Sequence, residues 1–101
     1  MSSVVTILYA EDHEVVRLAV KETLEAEGWR VDACADGLSA LAKLESAEPY
    51  DLLLFDNELP GISGLGLTHR ARELRHRRAT PILVVSADEV EREARRMGAD
   101  A

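Results

Sequence analysis

The sequence predicts an α/β fold: a doubly wound, parallel sheet with helices on both faces. Three observations predict it. Short apolar runs rich in Val, Ile and Leu alternate with amphipathic segments of helical period. The runs are nearly continuous rather than alternating, as strands buried on both faces are. Acidic or hydroxyl residues follow directly after three of them. Strands and helices alternating at this spacing imply parallel pairing through right-handed crossovers.

The elements follow in order along the chain. Val4–Tyr9 is the first strand. Glu14–Gly28 is the first helix, with Val16, Ala19, Val20, Thr23 and Leu24 on one face and Gly28 as the stop. Trp29–Ala35 is the second strand, and the pair Asp36-Gly37 turns the chain. Leu38–Glu48 is the second helix, with Leu38, Leu41, Ala42 and Leu44 inward and Pro49 ending it. Asp51–Phe55 is the most apolar strand, and so a central one. Asp56–Ser63 is a loop punctuated by Pro60 and Gly61. Gly64–Arg78 is a third helix with a basic outer face, Pro81–Val85 a fourth strand, and Asp88–Met97 a fourth helix with Val90, Ala94 and Met97 on one side.

Composition bounds the function. A chain of 101 residues with 47% hydrophobic and 31% charged residues suits one globular domain, spanning 1–101. A formal net charge of -7 repels phosphate backbones and argues against nucleic-acid binding. Cys34 is the one cysteine, which excludes an internal disulfide and fits a reducing cytoplasm. No apolar run approaches the length of a membrane span, and Met1–Val5 lacks the features of a signal peptide.

In doubly wound sheets ligands bind beyond the carboxyl ends of the strands. The residues there are Glu11-Asp12 after strand one, Asp56 after strand three and Ser86 after strand four. If strands one and three are neighbours, Asp12 and Asp56 face one another. Crowded carboxylates repel, so either some hold protons or a cation sits among them. A hard divalent ion such as Mg²⁺ suits an all-oxygen donor set. An aspartate held beside such an ion is a nucleophile suited to phosphoryl transfer.

These segments together resemble the response-regulator receiver family of two-component systems, of chemotaxis-regulator type. Glu11-Asp12 follows strand one, with Arg17 in the first helix. Asp36-Gly37 with Ala40-Leu41 is similar to the family's entry into its second helix. The stretch from Asp51 through Asp56, Leu59-Pro60-Gly61 and Gly64-Leu65 is similar to its acceptor segment, with Leu59 where methionine is more usual. Pro81–Ala87 resembles its fourth strand and switch residue, and Gly98-Ala99-Asp100-Ala101 the phrase before its fifth strand.

The resemblance implies a flavodoxin-like sheet of order 2-1-3-4, with the fifth strand and fifth helix absent. It implies that Asp56 accepts phosphate from a phosphohistidine of a sensor histidine kinase or phosphotransfer protein. Asp12 and Asp56 would bind Mg²⁺ directly, Glu11 through water, and the backbone carbonyl of Glu58 would complete the shell. Ser86 would hydrogen-bond a phosphoryl oxygen and act as the switch. Such a module is not a dedicated enzyme: phosphoryl acceptance and loss are self-catalysed.

The family's pattern continues with an aromatic residue, a lysine and a proline, and none follows Ala101. Lys21 and Lys43 lie in early helices and do not replace that lysine by position. The expectation is therefore weaker phosphorylation, an exposed strand-four edge and homodimerisation through it. Two other functions compete with this one. One is a receiver-like docking module that no longer signals by phosphorylation. The other is an aspartate-nucleophile phosphatase, suggested by Asp56-Asn57-Glu58 and disfavoured because that acid pair belongs on a first strand.

The remaining candidates read as structural. His13, His69 and His76 form no metal pattern. Cys34 reads as a buried filler. Glu58 and Asp88 read as the solvated rim of the site. Trp29 lies at the sheet end away from the site. Arg70, Arg72, Arg75, Arg77 and Arg78 read as a solvated helix face whose charge suits a helix C-terminus.

Overall fold

The computed structural model describes residues 4–85. The elements are β1 (Thr6–Ala10), α1 (Glu14–Ala26), β2 (Arg30–Cys34), α2 (Gly37–Glu45), β3 (Leu52–Asp56), α3 (Gly64–Glu73) and β4 (Ile82–Val85). The four strands form one parallel sheet of order β2-β1-β3-β4, as the family resemblance implies. Ala10 lies between Cys34 and Phe55, and Asp56 lies opposite Val85. The predicted fourth helix and the residues after it lie outside the described residues.

Successive strand residues point to opposite faces, so each strand feeds two apolar layers. Leu8, Ala10, Leu53 and Phe55 meet Ala40 and Leu44 of α2, Leu67 and Ala71 of α3, and Tyr50 and Leu59 from the loops. On the other face Ile7, Tyr9 and Val31 meet Val20 and Leu24 of α1, with Ala33, Leu52 and Leu54 beside them. Complete burial of a Leu or Phe side chain contributes roughly 1.5–3 kcal/mol, which makes the first layer the main source of cohesion.

Several predicted faces and ends differ from the structure. β1 begins at Thr6, because Val4 and Val5 are exposed. In α1 only Val20 and Leu24 of the predicted face pack on the sheet; Val16, Ala19 and Thr23 are exposed, so a single i, i+4 ridge makes the contact. The helix ends at Ala26, and Gly28 adopts φ 89 just beyond it, as the stop signal requires. In α2 Leu38 and Ala42 are exposed, and the inward stripe is Gly37, Ala40, Leu41 and Leu44. The Asp36 side chain caps the helix at Gly37, accepting the Ser39 N–H at 2.7 Å, and the close packing of Gly37 on the Ile62 backbone fixes which face turns inward.

The basic cluster holds the largest difference. α3 stops at Glu73, since Leu74 adopts φ -88 and ψ 123 and turns the chain toward α2. Arg77 is thereby carried inward, where it is 2% exposed. Its Nε donates to the Leu44 carbonyl at 3.0 Å, and one terminal nitrogen donates to the carbonyls of Lys43 at 3.2 Å and Ser46 at 3.0 Å. The guanidinium lies 4.8 Å from the centre of the Tyr50 ring. Among the described residues this buried cation has no carboxylate partner; the negative end of α2 and an aromatic face stabilise it. Tyr50 donates in turn to Asp32 at 2.6 Å, and Asp32 pairs with Lys43 at 2.9 Å. Of the other arginines, Arg70 pairs with Glu45 at 2.8 Å and Arg72 donates to the carbonyls of Arg78 and Thr80.

Arg77→Met leaves the apolar stem and removes three hydrogen bonds at the end of α2; the Leu44 carbonyl loses its guanidinium donor, while the Lys43 carbonyl keeps the Ser46 amide and hydroxyl and the Ser46 carbonyl keeps His76. The expected loss is about 2–4 kcal/mol of unfolding free energy, read by urea denaturation, since buried charge-assisted hydrogen bonds are worth about 1.5–3 kcal/mol each before relaxation. Arg75→Met, at an exposed position, is expected to stay within about 0.5 kcal/mol of wild type.

Candidate metal and phosphoacceptor site

Parallel pairing of β1 with β3 ends both strands at one sheet edge. Glu11 and Asp12 follow β1, and Asp56 is the last residue of β3. One carboxylate oxygen from each of the three lies within 4.8 Å of the others. Glu11 and Asp56 are half-buried, and Asp12 is exposed. The juxtaposition expected from the sequence is therefore present.

Backbone bonds fix both loops. The Glu11 N–H donates to the Cys34 carbonyl at 3.0 Å, which ties the end of β1 to the end of β2. The His13 N–H donates to Glu11 Oε2 at 3.0 Å, and His13 Nδ1 accepts from the Val16 N–H at 3.4 Å. His13 thus caps α1 and is not part of the acidic group. Arg17 reaches back from α1 to the carbonyls of Glu11 at 3.0 Å and Asp12 at 3.4 Å.

The acceptor loop is held as firmly. The Asn57 N–H donates to the Val85 carbonyl at 2.8 Å, and the Glu58 N–H donates to Asp56 Oδ1 at 3.2 Å. Asn57 Oδ1 accepts from the Leu65 N–H at 3.2 Å, binding the loop to the start of α3. Ser63 caps that helix through the Gly66 N–H. Gly61 has φ 87, a conformation that only glycine adopts cheaply. A Cβ on Gly64 would stand 2.7 Å from the Asp56 carbonyl oxygen, and one on Gly37 2.0 Å from the Ile62 carbonyl oxygen. Helices α2 and α3 therefore touch the acceptor loop backbone directly, and the Gly37 N–H donates to the Pro60 carbonyl at 2.9 Å.

The electrostatics record the crowding. Burial raises the Glu11 carboxyl above its ordinary range; the His13 N–H opposes this, and the nearby Asp56 and Asp12 carboxyls reinforce it. The Tyr9 phenol is pushed up to about 12, first by burial and then by the negative charges of Glu11 and Asp56. Cys34 is buried as predicted, and burial raises its thiol to about 11, which makes it inert. The three donors are all carboxylate oxygens, a set that fits a hard divalent cation rather than a soft one.

Of the predicted site residues, the structure brings Glu11, Asp12 and Asp56 together and sets Glu58 beside them through its amide. Ser86 lies outside the described residues, as does Asp88. Asn57, Gly37 and Gly64 position the site, and the sequence reading gave none of them that task. The signal for Asn57 was an amide side chain between a strand end and a helix start, a place where such residues cap backbone.

Comparison with known proteins decides the family. The sequence pattern of the response regulator receiver domain matches residues 7–101. The chain belongs to the response-regulator receiver family. It is 43% identical over 68 residues to the sensor protein EvgS of Escherichia coli O157:H7, covering 67% of this chain and 6% of that protein. It is 37% identical over 81 residues to the transcriptional regulatory protein CseB of Streptomyces coelicolor, covering 80% of this chain and 33% of that one. The receiver thus spans a third or less of these curated relatives. Its fold superposes on the receiver domain of the sensor histidine kinase PA1611 of Pseudomonas aeruginosa, with a TM-score of 0.81 and 30% identity, covering 97% of this chain and 82% of that one. That structure holds a magnesium ion in its active-site cleft. Among the described residues, no helix of this receiver is long and apolar enough to cross a membrane.

Gly64→Ala forces a methyl group onto the Asp56 backbone. The expected outcome is a loss of about 1–3 kcal/mol, as for overpacking elsewhere, together with displaced Asp56 and Asn57 amide signals in a ¹⁵N NMR spectrum. Gly66→Ala, whose added carbon meets only side-chain atoms of Ile62 and Ser63, is expected to leave those signals in place.

Proposed function

We propose that this receiver takes a phosphoryl group onto the Asp56 carboxylate in a Mg²⁺-dependent step, from a phosphohistidine on a sensor histidine kinase or phosphotransfer protein. The observation that carries this reading is the approach of Glu11, Asp12 and Asp56 within 4.8 Å. Asp12 and Asp56 would hold the ion, with Glu11 acting through water and the Glu58 backbone carbonyl as a further donor. The magnesium ion in the similar Pseudomonas receiver supports the same occupant here.

The chemistry needs little more from the protein than placement. An Asp56 carboxylate oxygen forms a bond to phosphorus, and the phosphorus–nitrogen bond of the donor breaks. The electron pair leaves on the donor imidazole, which takes up a proton. When bound, Mg²⁺ offsets the charge of the phosphoryl oxygens and of the three carboxylates. The Glu58 N–H already donates to Asp56 Oδ1, which orients the other oxygen for attack. Ser86 donates a hydrogen bond to the phosphoryl group and couples its arrival to β4, a shift between two populations rather than a new fold. Loss of the phosphoryl group to water is self-catalysed, so the domain acts as an acceptor and not as a turnover enzyme.

Incubation with acetyl phosphate and Mg²⁺, followed by phosphate-affinity electrophoresis and peptide mapping, tests this. Expected is label on Asp56 that disappears with a chelator and in Asp56→Asn, and that falls about 100-fold or more in rate for Asp12→Asn, in line with loss of a charge-stabilising ligand. Label that persists in Asp56→Asn, or that ignores the chelator, contradicts the proposal.

A further inference from the structure

We infer that Arg17 is a positioning residue for metal binding: by gripping the backbone carbonyls of Glu11 and Asp12 it holds that acidic pair against Asp56. The inference rests on the reading of this pocket as a Mg²⁺ site. Like charges so close together push their loops apart, and the β1–α1 connection is the short segment that must resist. Glu11 is restrained three times: by its N–H on Cys34, by its side chain on the His13 N–H, and by its carbonyl under Arg17. For Asp12, Arg17 is the side chain that holds the backbone, at 3.4 Å.

The choice of acceptor matters. Arg17 forms no ion pair with Glu11, Asp12 or Asp56 among the described residues. It donates to carbonyls, so its positive charge does not occupy the carboxylate oxygens, which among the described residues keep backbone N–H partners alone: His13 on Glu11 and Glu58 on Asp56. The other cations whose bonds are described are engaged elsewhere: Lys21 with Glu25, Lys43 with Asp32, Arg70 with Glu45, and Arg72 and Arg77 with carbonyls. One guanidinium nitrogen reaches both carbonyls from the first turns of α1, so the grip also sets where the helix starts relative to the acids. A lysine ammonium lacks the planar, fixed geometry that keeps such a bridge in place.

The sign of one measurement separates positioning from simple charge. Deleting a cation near the pocket, by Coulomb's law alone, strengthens attraction for Mg²⁺. Releasing the acidic loop weakens it. Mg²⁺ is titrated by calorimetry into the wild-type chain, Arg17→Met, Arg17→Lys and Asp12→Asn, and ¹⁵N spectra are recorded without metal. Expected is a Mg²⁺ Kd raised about 10-fold or more in Arg17→Met, the range for lost orienting partners of metal ligands, with partial recovery in Arg17→Lys. The amides of Asp12 and His13 are expected to shift in Arg17→Met before any metal is added. Affinity unchanged or tighter in both Arg17 variants, with Asp12→Asn impaired, overturns the inference and leaves the metal site standing. Absence of Mg²⁺ binding by the wild-type chain overturns both. Should Arg17→Met fail to fold, Arg17→Lys decides: weakened binding supports the grip and wild-type binding removes it.

Discussion

Three carboxylates are held closer together than their charges favour, and the surrounding structure is organised around keeping them there. Like charges at such a separation cost free energy unless a proton or a cation intervenes. The Glu11 carboxyl and the Tyr9 phenol are raised first by burial, and the neighbouring acids add to both shifts. A site that stores unfavourable energy in the absence of its ion gains affinity and charge selectivity for it. It is also the kind of arrangement that evolution keeps for function at the expense of stability.

The cost is sustained because both acid-bearing segments are anchored to the sheet. β1 and β3 are paired neighbours whose apolar side chains fill both layers, so their ends cannot drift apart without opening the core. From there the restraint passes to backbone: Glu11 to Cys34, Asn57 to Val85, Gly37 to Pro60. Glycine at positions 37 and 64 lets two helices rest directly on the acceptor loop. A shift of that loop therefore reaches α2 and α3 without any intervening side chain. Far from the site, Arg77 does comparable work at the other end of α2, adding a buried guanidinium to the Ser46 cap.

The alternation of strands and helices and the location of the acids were legible because both follow from patterns of few residues, whereas the order of the strands came from the family resemblance. Continuous apolar runs mark strands covered on both faces, and polar residues just after them mark the carboxyl edge. Helix phase was less legible. The spacing places Leu38 inward, yet the close contact of Gly37 with Ile62 turns the neighbouring Leu38 outward. α1 looked broadly amphipathic, yet it touches the sheet through Val20 and Leu24. The buried Arg77 was invisible for a different reason. A run of arginines after a helix reads as solvated, and only the turn at Leu74 decides which of them points inward. Side-chain contacts to backbone, such as those of Asn57 and Arg17, leave a weak trace in sequence because a backbone partner carries no residue identity.

The most direct test is the unfolding free energy of Glu11→Gln against the parent chain in the presence of a chelator. Glutamine keeps an oxygen for the His13 N–H and removes the charge. Because the Glu11 carboxyl is raised in the folded state, the parent binds that proton more tightly folded than unfolded, and it loses stability as pH rises through the carboxyl's folded range. The account predicts that Glu11→Gln is more stable than the parent at neutral pH without metal. The difference shrinks as the solution is acidified, and saturating Mg²⁺ reverses it by stabilising the parent through binding. A variant less stable than the parent in chelator at neutral pH, or an order that Mg²⁺ leaves unchanged, contradicts it.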